Sequence, residues 1–90
     1  MDIYANNFKG TIPAVLGNLK KLRELDLHDN DLTGRMPSTM CQRKMDLLAA
    51  DCWGKNPEVK CDCCTVCCEG LPNMRCVDMK TKREIVYYIK

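Results

Sequence analysis

The feature that most constrains this chain is a 24-residue repeat in its first half. Residues 19–42 form one complete period, and residues 1–18 repeat its last 18 positions. The matched positions are Met1 with Leu25, Ile3 with Leu27, Asn6 with Asn30, Phe8 with Leu32, Gly10 with Gly34, Ile12 with Met36, Pro13 with Pro37, and Leu16 with Met40. A fixed period of about 20–29 residues is typical of a solenoid, in which each unit buries its apolar face against its neighbours.

Size and charge set further limits. The chain has 90 residues, which is enough for one small domain. Its 14 basic and 12 acidic residues are interspersed, whereas a nucleic-acid-binding surface requires a clustered basic face. No stretch approaches the roughly 18 apolar residues of a membrane span. We therefore expect no nucleic-acid partner and no membrane span in this chain, although a membrane anchor elsewhere in the parent protein stays open. Met1 already lies inside a repeat, so we expect the chain to be the C-terminal piece of a longer array.

The repeat follows a specific pattern, LxxLxxLxLxxNxLxGx(I/M)P. Its residues are Leu19, Leu22, Leu25, Leu27, Asn30, Leu32, Gly34, Met36 and Pro37. This pattern resembles the plant-type leucine-rich repeat, which is common in extracellular receptor-like and defence proteins. The resemblance implies an α/β fold: a leucine-rich-repeat solenoid of about two and a half coils, with a parallel sheet on its concave face. It also implies that Asn6 and Asn30 form a ladder of hydrogen bonds to the backbone of adjacent coils.

The register predicts individual elements. Each LxL segment is expected to be a short strand, and residues 14–17 and 38–41 short helical turns. A shift of 23 residues places Leu25 on Leu48, so we expect residues 47–50 to be the last strand of the sheet. Trp53 then replaces the ladder asparagine. We therefore divide the chain into coils (residues 1–51), a cysteine-rich cap (52–79), and a basic tail or edge strand (80–90), with strand character at 85–89.

The cap contains most of the cysteines. The eight are Cys41, Cys52, Cys61, Cys63, Cys64, Cys67, Cys68 and Cys76. An even number in a short extracellular chain predicts a disulfide framework, but eight cysteines allow 105 pairings. We expect adjacent cysteines to bond elsewhere, and Cys41 and Cys52 to reach into the cap or to each other. A zinc site using Cys61-x-Cys63 and Cys64-x-x-Cys67, or free thiols, remains an alternative. We favour disulfides and predict no metal and no cofactor.

The predicted concave face defines the candidate binding residues. Because side chains alternate along a strand, the residues between the leucines should point to solvent. These are Asp2, Tyr4, Glu24, Asp26, His28, Asp29, Ala49 and Asp51. We single out Tyr4, Glu24, Asp26, His28 and Asp29 as partner-binding residues of an acidic face that suits a basic or polar partner. The alternative is that these residues form an ordinary solvated strand face with no binding role.

Two main functional classes follow, and a cysteine-rich metal-binding protein is a third if the thiols are reduced. The first is a non-catalytic recognition module of a secreted or cell-surface protein, which binds a protein, peptide or glycan. The second is a structural cap that only closes a longer array. His28 beside two carboxylates does not indicate an enzyme, because an open curved sheet lacks the cleft that catalysis requires.

Overall fold

The chain forms short strands and two short helices. The computed structural model describes residues 9–28, 30–69 and 75–85. The strands are β1 (Lys9–Thr11), β2 (Glu24–Asp26), β3 (Asp31–Arg35), β4 (Leu47–Ala50), β5 (Val59–Lys60), β6 (Val66–Cys68), β7 (Cys76–Asp78) and β8 (Arg83–Ile85). A 3-10 helix spans Ala14–Asn18 and α1 spans Ser38–Cys41, which confirms both predicted helical turns. The predicted first strand, at residues 1–3, lies outside the described residues.

The larger sheet contains the predicted leucine strands. Its order is β2-β4-β6-β7-β8, and β2 pairs in parallel with β4. Leu25 lies opposite Leu48, so the 23-residue shift read from the sequence is the register of this pair. The prediction that β4 is the last strand is wrong, because β6 continues the parallel pairing with Ala49 opposite Val66. The repeat pattern does not indicate this strand, since β6 follows β4 at an offset of 17 residues and lacks the LxL motif.

The pairing changes direction after β6. Strands β7 and β8 are both antiparallel to their neighbours, and β8 is the last strand in the sheet order. Thr65 fixes the start of β6, because its Oγ1 accepts a hydrogen bond from the Leu48 backbone N at 2.9 Å, and its own N donates to the Leu48 O at 2.9 Å. The Thr65 carbonyl in turn accepts a bond from the Met79 N. One residue thus joins the parallel and antiparallel parts of the sheet.

A second sheet has the order β1-β3-β5, and both of its pairs are parallel. The repeat pattern does not predict this second sheet, because its strands are short and mostly exposed and lack the leucine alternation. Gly10 and Gly34 have φ values of 87° and 92°, a conformation that favours glycine. Both glycines lie within strands, at equivalent positions of the repeat.

The main core contains residues from both sheets and from α1. Its buried members are Ile12, Leu25, Leu27, Leu32, Met36, Met40, Leu48, Ala50, Val59, Cys64 and Cys67. Trp53 packs against this cluster and is partly buried. A smaller cluster of Ala49, Val66, Cys68 and Cys76 occupies the other face of the larger sheet. Over the described part of the chain, no helix has the length and apolar character to cross a membrane.

Candidate recognition surface

The end of β2 carries a buried acid–imidazole pair. His28 Nδ1 lies 2.5 Å from Asp26 Oδ1, and the His28 backbone N donates to the same oxygen at 3.1 Å. The two side chains are 6% and 8% exposed, in the order His28 and Asp26. A buried carboxylate needs such hydrogen bonds, because losing water without compensation costs about 1–3 kcal/mol or more. The hydrogen bonds of this pair therefore fix the backbone and side-chain positions at the end of β2.

The predicted solvent exposure of this face is wrong at four positions. Asp26, His28, Ala49 and Asp51 are all at most 6% exposed. The physical reason lies in the neighbouring strands. In register with Asp26 are Ala49 on β4 and then Val66 on β6, and both belong to the smaller apolar cluster. These four side chains are therefore buried beside apolar neighbours of the same face, where the sequence pattern predicted water.

Glu24 is the candidate that remains at the surface. It opens β2 and is exposed. The structure thus places Glu24, Asp26 and His28 on one strand end. Tyr4, Asp29 and the ladder residue Asn6, together with Asp2 of the predicted face, lie outside the described residues.

Asn30 is buried, and its side chain binds nearby backbone. Its Nδ2 donates to Leu27 O at 3.1 Å and to His28 O at 3.3 Å, which satisfies carbonyls where the chain leaves β2. The Asn30 backbone N donates to Asp51 Oδ2 at 3.3 Å. Asp51 lies just after β4, so this bond connects the ends of two neighbouring parallel strands. The two side-chain bonds of Asn30, in contrast, are to residues only two and three positions earlier in the chain.

Arg43 is a connecting residue that sequence reasoning missed. Its guanidinium donates to the carbonyl oxygens of Gly17 (3.2 Å), Lys20 (2.9 Å), Leu22 (2.6 Å) and Leu19. The five donors of a planar guanidinium suit such a set of acceptors. Arg43 therefore holds the segment that precedes β2 to the segment that precedes β4. An isolated arginine in a polar stretch carries no signal of this role.

All eight cysteines form disulfides in the structure, which confirms the disulfide framework. The pairs are Cys41–Cys63, Cys52–Cys67, Cys61–Cys64 and Cys68–Cys76. No adjacent cysteines bond to each other, and Cys41 and Cys52 both reach into the region after residue 60. Within this framework the sulfur atoms of Cys52, Cys64 and Cys67 all lie within 4.8 Å of one another.

Two carboxyl groups on the surface have shifted pKa values. Arg23 donates to Asp46 at 2.9 and 3.2 Å, and this hydrogen bonding, with the arginine charge, lowers the pKa of Asp46. Partial burial raises the pKa of Glu58, and the nearby charges of Asp51 and Asp31 raise it further. Both shifts bear on pH-dependent stability, and neither lies on the predicted binding positions.

The repeat is similar to segments of known proteins. Residues 21–42 match the family model Leucine Rich Repeat. Receptor-like protein 52 of Arabidopsis thaliana is 44% identical over 45 residues, which is 50% of this chain and 6% of that protein. Cuscuta receptor 1 of Solanum lycopersicum is 44% identical over 48 residues, or 53% of this chain and 4% of that protein.

A probable LRR receptor-like serine/threonine-protein kinase of Arabidopsis thaliana is 44% identical over 43 residues, or 48% of this chain and 4% of that protein. The aligned part of this chain thus spans only a few per cent of the length of these relatives. No solved structure matches the chain significantly. The strand-rich α/β architecture, its parallel pairing and its disulfides are consistent with the leucine-rich-repeat fold. Residues 21–42 thus match the Leucine Rich Repeat family, and about half of the chain is similar to short segments of plant receptor-like proteins.

Proposed function

We propose that this chain is a non-catalytic recognition module from the extracellular or cell-surface part of a receptor-like protein. Leucine-rich repeats and receptor-like relatives indicate a protein-interaction role. In this proposal the chain is a short solenoid of about two and a half coils (residues 1–51), closed by a cap (52–79) and a tail or edge strand (80–90). Its larger sheet forms the concave face that binds a protein, peptide or glycan.

The observation that carries this proposal is the register of β2 and β4. Glu24 lies opposite Leu47 and Asp26 opposite Ala49, so equivalent positions of successive units share one face of the sheet. Such columns are how repeat arrays build an extended binding surface from short strands. The register belongs to the part of the chain that resembles receptor-like proteins.

We assign direct contact with the partner to Glu24, together with Tyr4 and Asp29 of the predicted group. Asp26 and His28 are too buried to offer much surface, so we assign them the task of fixing the strand end beside Glu24. A carboxylate at the rim of a binding face favours a partner with basic side chains, and such charges act mainly on specificity and association rate.

A binding selection tests this assignment. The purified, oxidised chain is selected against a displayed library of random peptides, and we expect enrichment of Lys- and Arg-containing sequences. Glu24→Lys should lower the affinity of the chain for the enriched peptides by about tenfold or more, which corresponds to about 1.4 kcal/mol of binding free energy. Glu84→Lys is the matched control, because Glu84 is an exposed glutamate on β8 of the same sheet.

Equal losses for Glu24→Lys and Glu84→Lys would show that the enriched peptides bind elsewhere or through overall charge. Absence of any enriched peptide would favour the second candidate function, a structural cap that closes a longer array. The antiparallel pairing of β7 and β8 and the apolar cluster beyond β4 support that alternative. If the chain is only a cap, the same selection should enrich peptides when it is carried out on a longer chain that includes additional upstream repeats.

A further inference from the structure

Three sulfur atoms of the cap meet in one place, although they come from different disulfides. Cys52 and Cys67 bond to each other, and Cys64 bonds to Cys61, yet the Cys52, Cys64 and Cys67 sulfurs lie within 4.8 Å of one another. The bond between Cys61 and Cys64 places a fourth sulfur beside them. We call Cys52, Cys61, Cys64 and Cys67 the four-cysteine cluster.

The backbone holds this cluster independently of the sulfur bonds. Cys67 lies in β6 opposite Ala50 of β4, and Cys52 follows β4 with its N bonded to Ala50 O at 2.9 Å. Cys61 and Cys64 are connected to β6 through Thr65, which is bonded to Leu48. The strand pairing therefore keeps Cys52, Cys64 and Cys67 close together when the cysteines are reduced, and Cys61 lies three residues before Cys64 in the chain.

Spacing and distance both suit a thiophilic metal. Cys61-x-x-Cys64-x-x-Cys67 contains two overlapping steps of the ligand spacing that zinc sites use, and Cys52 supplies a distant fourth ligand. Tetrahedral zinc with Zn–S bonds of about 2.3 Å requires sulfurs about 3.8 Å apart. The sulfurs of Cys52, Cys64 and Cys67 are within reach of that geometry after a shift of about an ångström or two per side chain, and the Cys61 sulfur is bonded to that of Cys64.

We propose that the reduced chain binds one Zn²⁺ through the four-cysteine cluster, in place of the Cys52–Cys67 and Cys61–Cys64 disulfides. Each disulfide takes two electrons and two protons from a dithiol reductant, which is itself oxidised to a disulfide. Zinc binding then releases the four thiol protons, because thiolates are the ligands. The metal replaces two covalent links by one four-coordinate link at the same place in the fold. This inference does not depend on the proposed recognition role.

The first test uses the unmodified sequence. The full chain is reduced with a phosphine, desalted without oxygen and titrated with ZnCl₂, and the bound metal is counted by native mass spectrometry. We expect one Zn²⁺ per chain. Alkylation of the zinc-bound chain, followed by peptide mapping, should leave the four-cysteine cluster protected and modify Cys41, Cys63, Cys68 and Cys76. Uniform alkylation, another protected set or two bound ions would overturn the proposal.

The second test compares paired variants that each remove two cysteines. Cys52→Ala with Cys67→Ala, and Cys61→Ala with Cys64→Ala, remove cluster ligands. Cys41→Ala with Cys63→Ala, and Cys68→Ala with Cys76→Ala, are matched controls that leave six thiols as well. CoCl₂ is the spectroscopic probe, with thiolate charge-transfer absorption as the signal.

We expect the cluster variants to lose more than about 100-fold in affinity, because loss of an outer partner of a metal site already costs about 10–100-fold. The control pairs should retain the charge-transfer spectrum and stay within about tenfold of the parent affinity. If all four paired variants weaken metal binding equally, affinity depends on the number of thiols and not on the four-cysteine cluster, and the proposal is wrong. Binding couples to folding in such sites, so variants that are unfolded without metal remain measurable.

Discussion

The region up to residue 51 and the region after it are stabilised in different ways. The first region contains leucines at repeating positions, and its neighbouring units are connected by hydrogen bonds such as those of Arg43 and the Asn30–Asp51 bond. The second region contains six of the eight bonded cysteines up to residue 68 and one more at residue 76. Its strands run first parallel and then antiparallel. A repeat packs against its neighbours, whereas disulfides connect the second region, where the repeat pattern ends.

Contacts between units in the first region are close. Thr39 Oγ1 donates to Ala14 O at 2.9 Å, so α1 lies against the 3-10 helix. A Cβ atom on Gly17 would be 2.4 Å from Thr39 Cβ, which leaves no room for a side chain. This packing is repeated architecture, and it requires no covalent link. After residue 51 the repeating leucine positions end, and disulfides connect the chain instead.

The largest expected effect concerns the disulfides. We predict that Cys52→Ala with Cys67→Ala lowers the free energy of unfolding by about 3 kcal/mol, because the bond closes a loop of 15 residues. Cys61→Ala with Cys64→Ala should cost only about 1.5 kcal/mol, because that bond closes a loop of three. Urea unfolding of the oxidised variants measures both. The reverse order would mean that native packing, rather than loop closure, determines the contribution of each bond.

The next effect concerns the first region. Arg43→Met should lower the free energy of unfolding by about 2–3 kcal/mol, because it leaves four carbonyl groups without their charged donor. Arg23→Met is the control, since Arg23 is an exposed arginine whose ion pair with Asp46 is open to solvent. Thermal unfolding followed by circular dichroism should show a clear shift for Arg43→Met and almost none for Arg23→Met. Similar shifts for both would contradict the role given to Arg43.

The smallest effect is a pH dependence of opposite sign in the two regions. Asp46 has a lowered pKa, so its contribution is present above its unfolded pKa and is lost as the pH falls through the folded value. Glu58 has a raised pKa, so stability falls as the pH rises from its unfolded value through its folded value. Glu58→Gln should therefore stabilise the chain at pH 7, by less than about 0.5 kcal/mol because the group is exposed.

Asp46→Asn should do the reverse and slightly destabilise the chain at pH 7. At a pH below both carboxyl pKa values each variant should match the parent. Urea unfolding at pH 7 and at a pH low enough to protonate both carboxyl groups in the folded chain provides the comparison. A stabilising effect of Glu58→Gln that persists at the lower pH would show that charge is not its cause.

The repeat register was predictable because it depends on local pattern. The 23-residue shift places Leu25 opposite Leu48, and the repeat positions both helical turns, as the structure confirms. The exposure of Asp26 and His28 was not predictable in this way. Strand alternation says which residues share a face, but it does not say what covers that face. At this face the residues in register with Asp26 are Ala49 and then Val66, which belong to the smaller apolar cluster.

The sequence by itself determined the repeat, its strand register and the need for covalent closure, because period and cysteine number are properties of the chain. Tertiary structure alone decided which cysteines pair, that β6 follows β4, and that Arg43 joins two segments. These depend on distances between residues far apart in sequence, which no local pattern encodes. The four-cysteine cluster belongs to the second kind, since Cys52 joins Cys64 and Cys67 only through the pairing of β4 with β6.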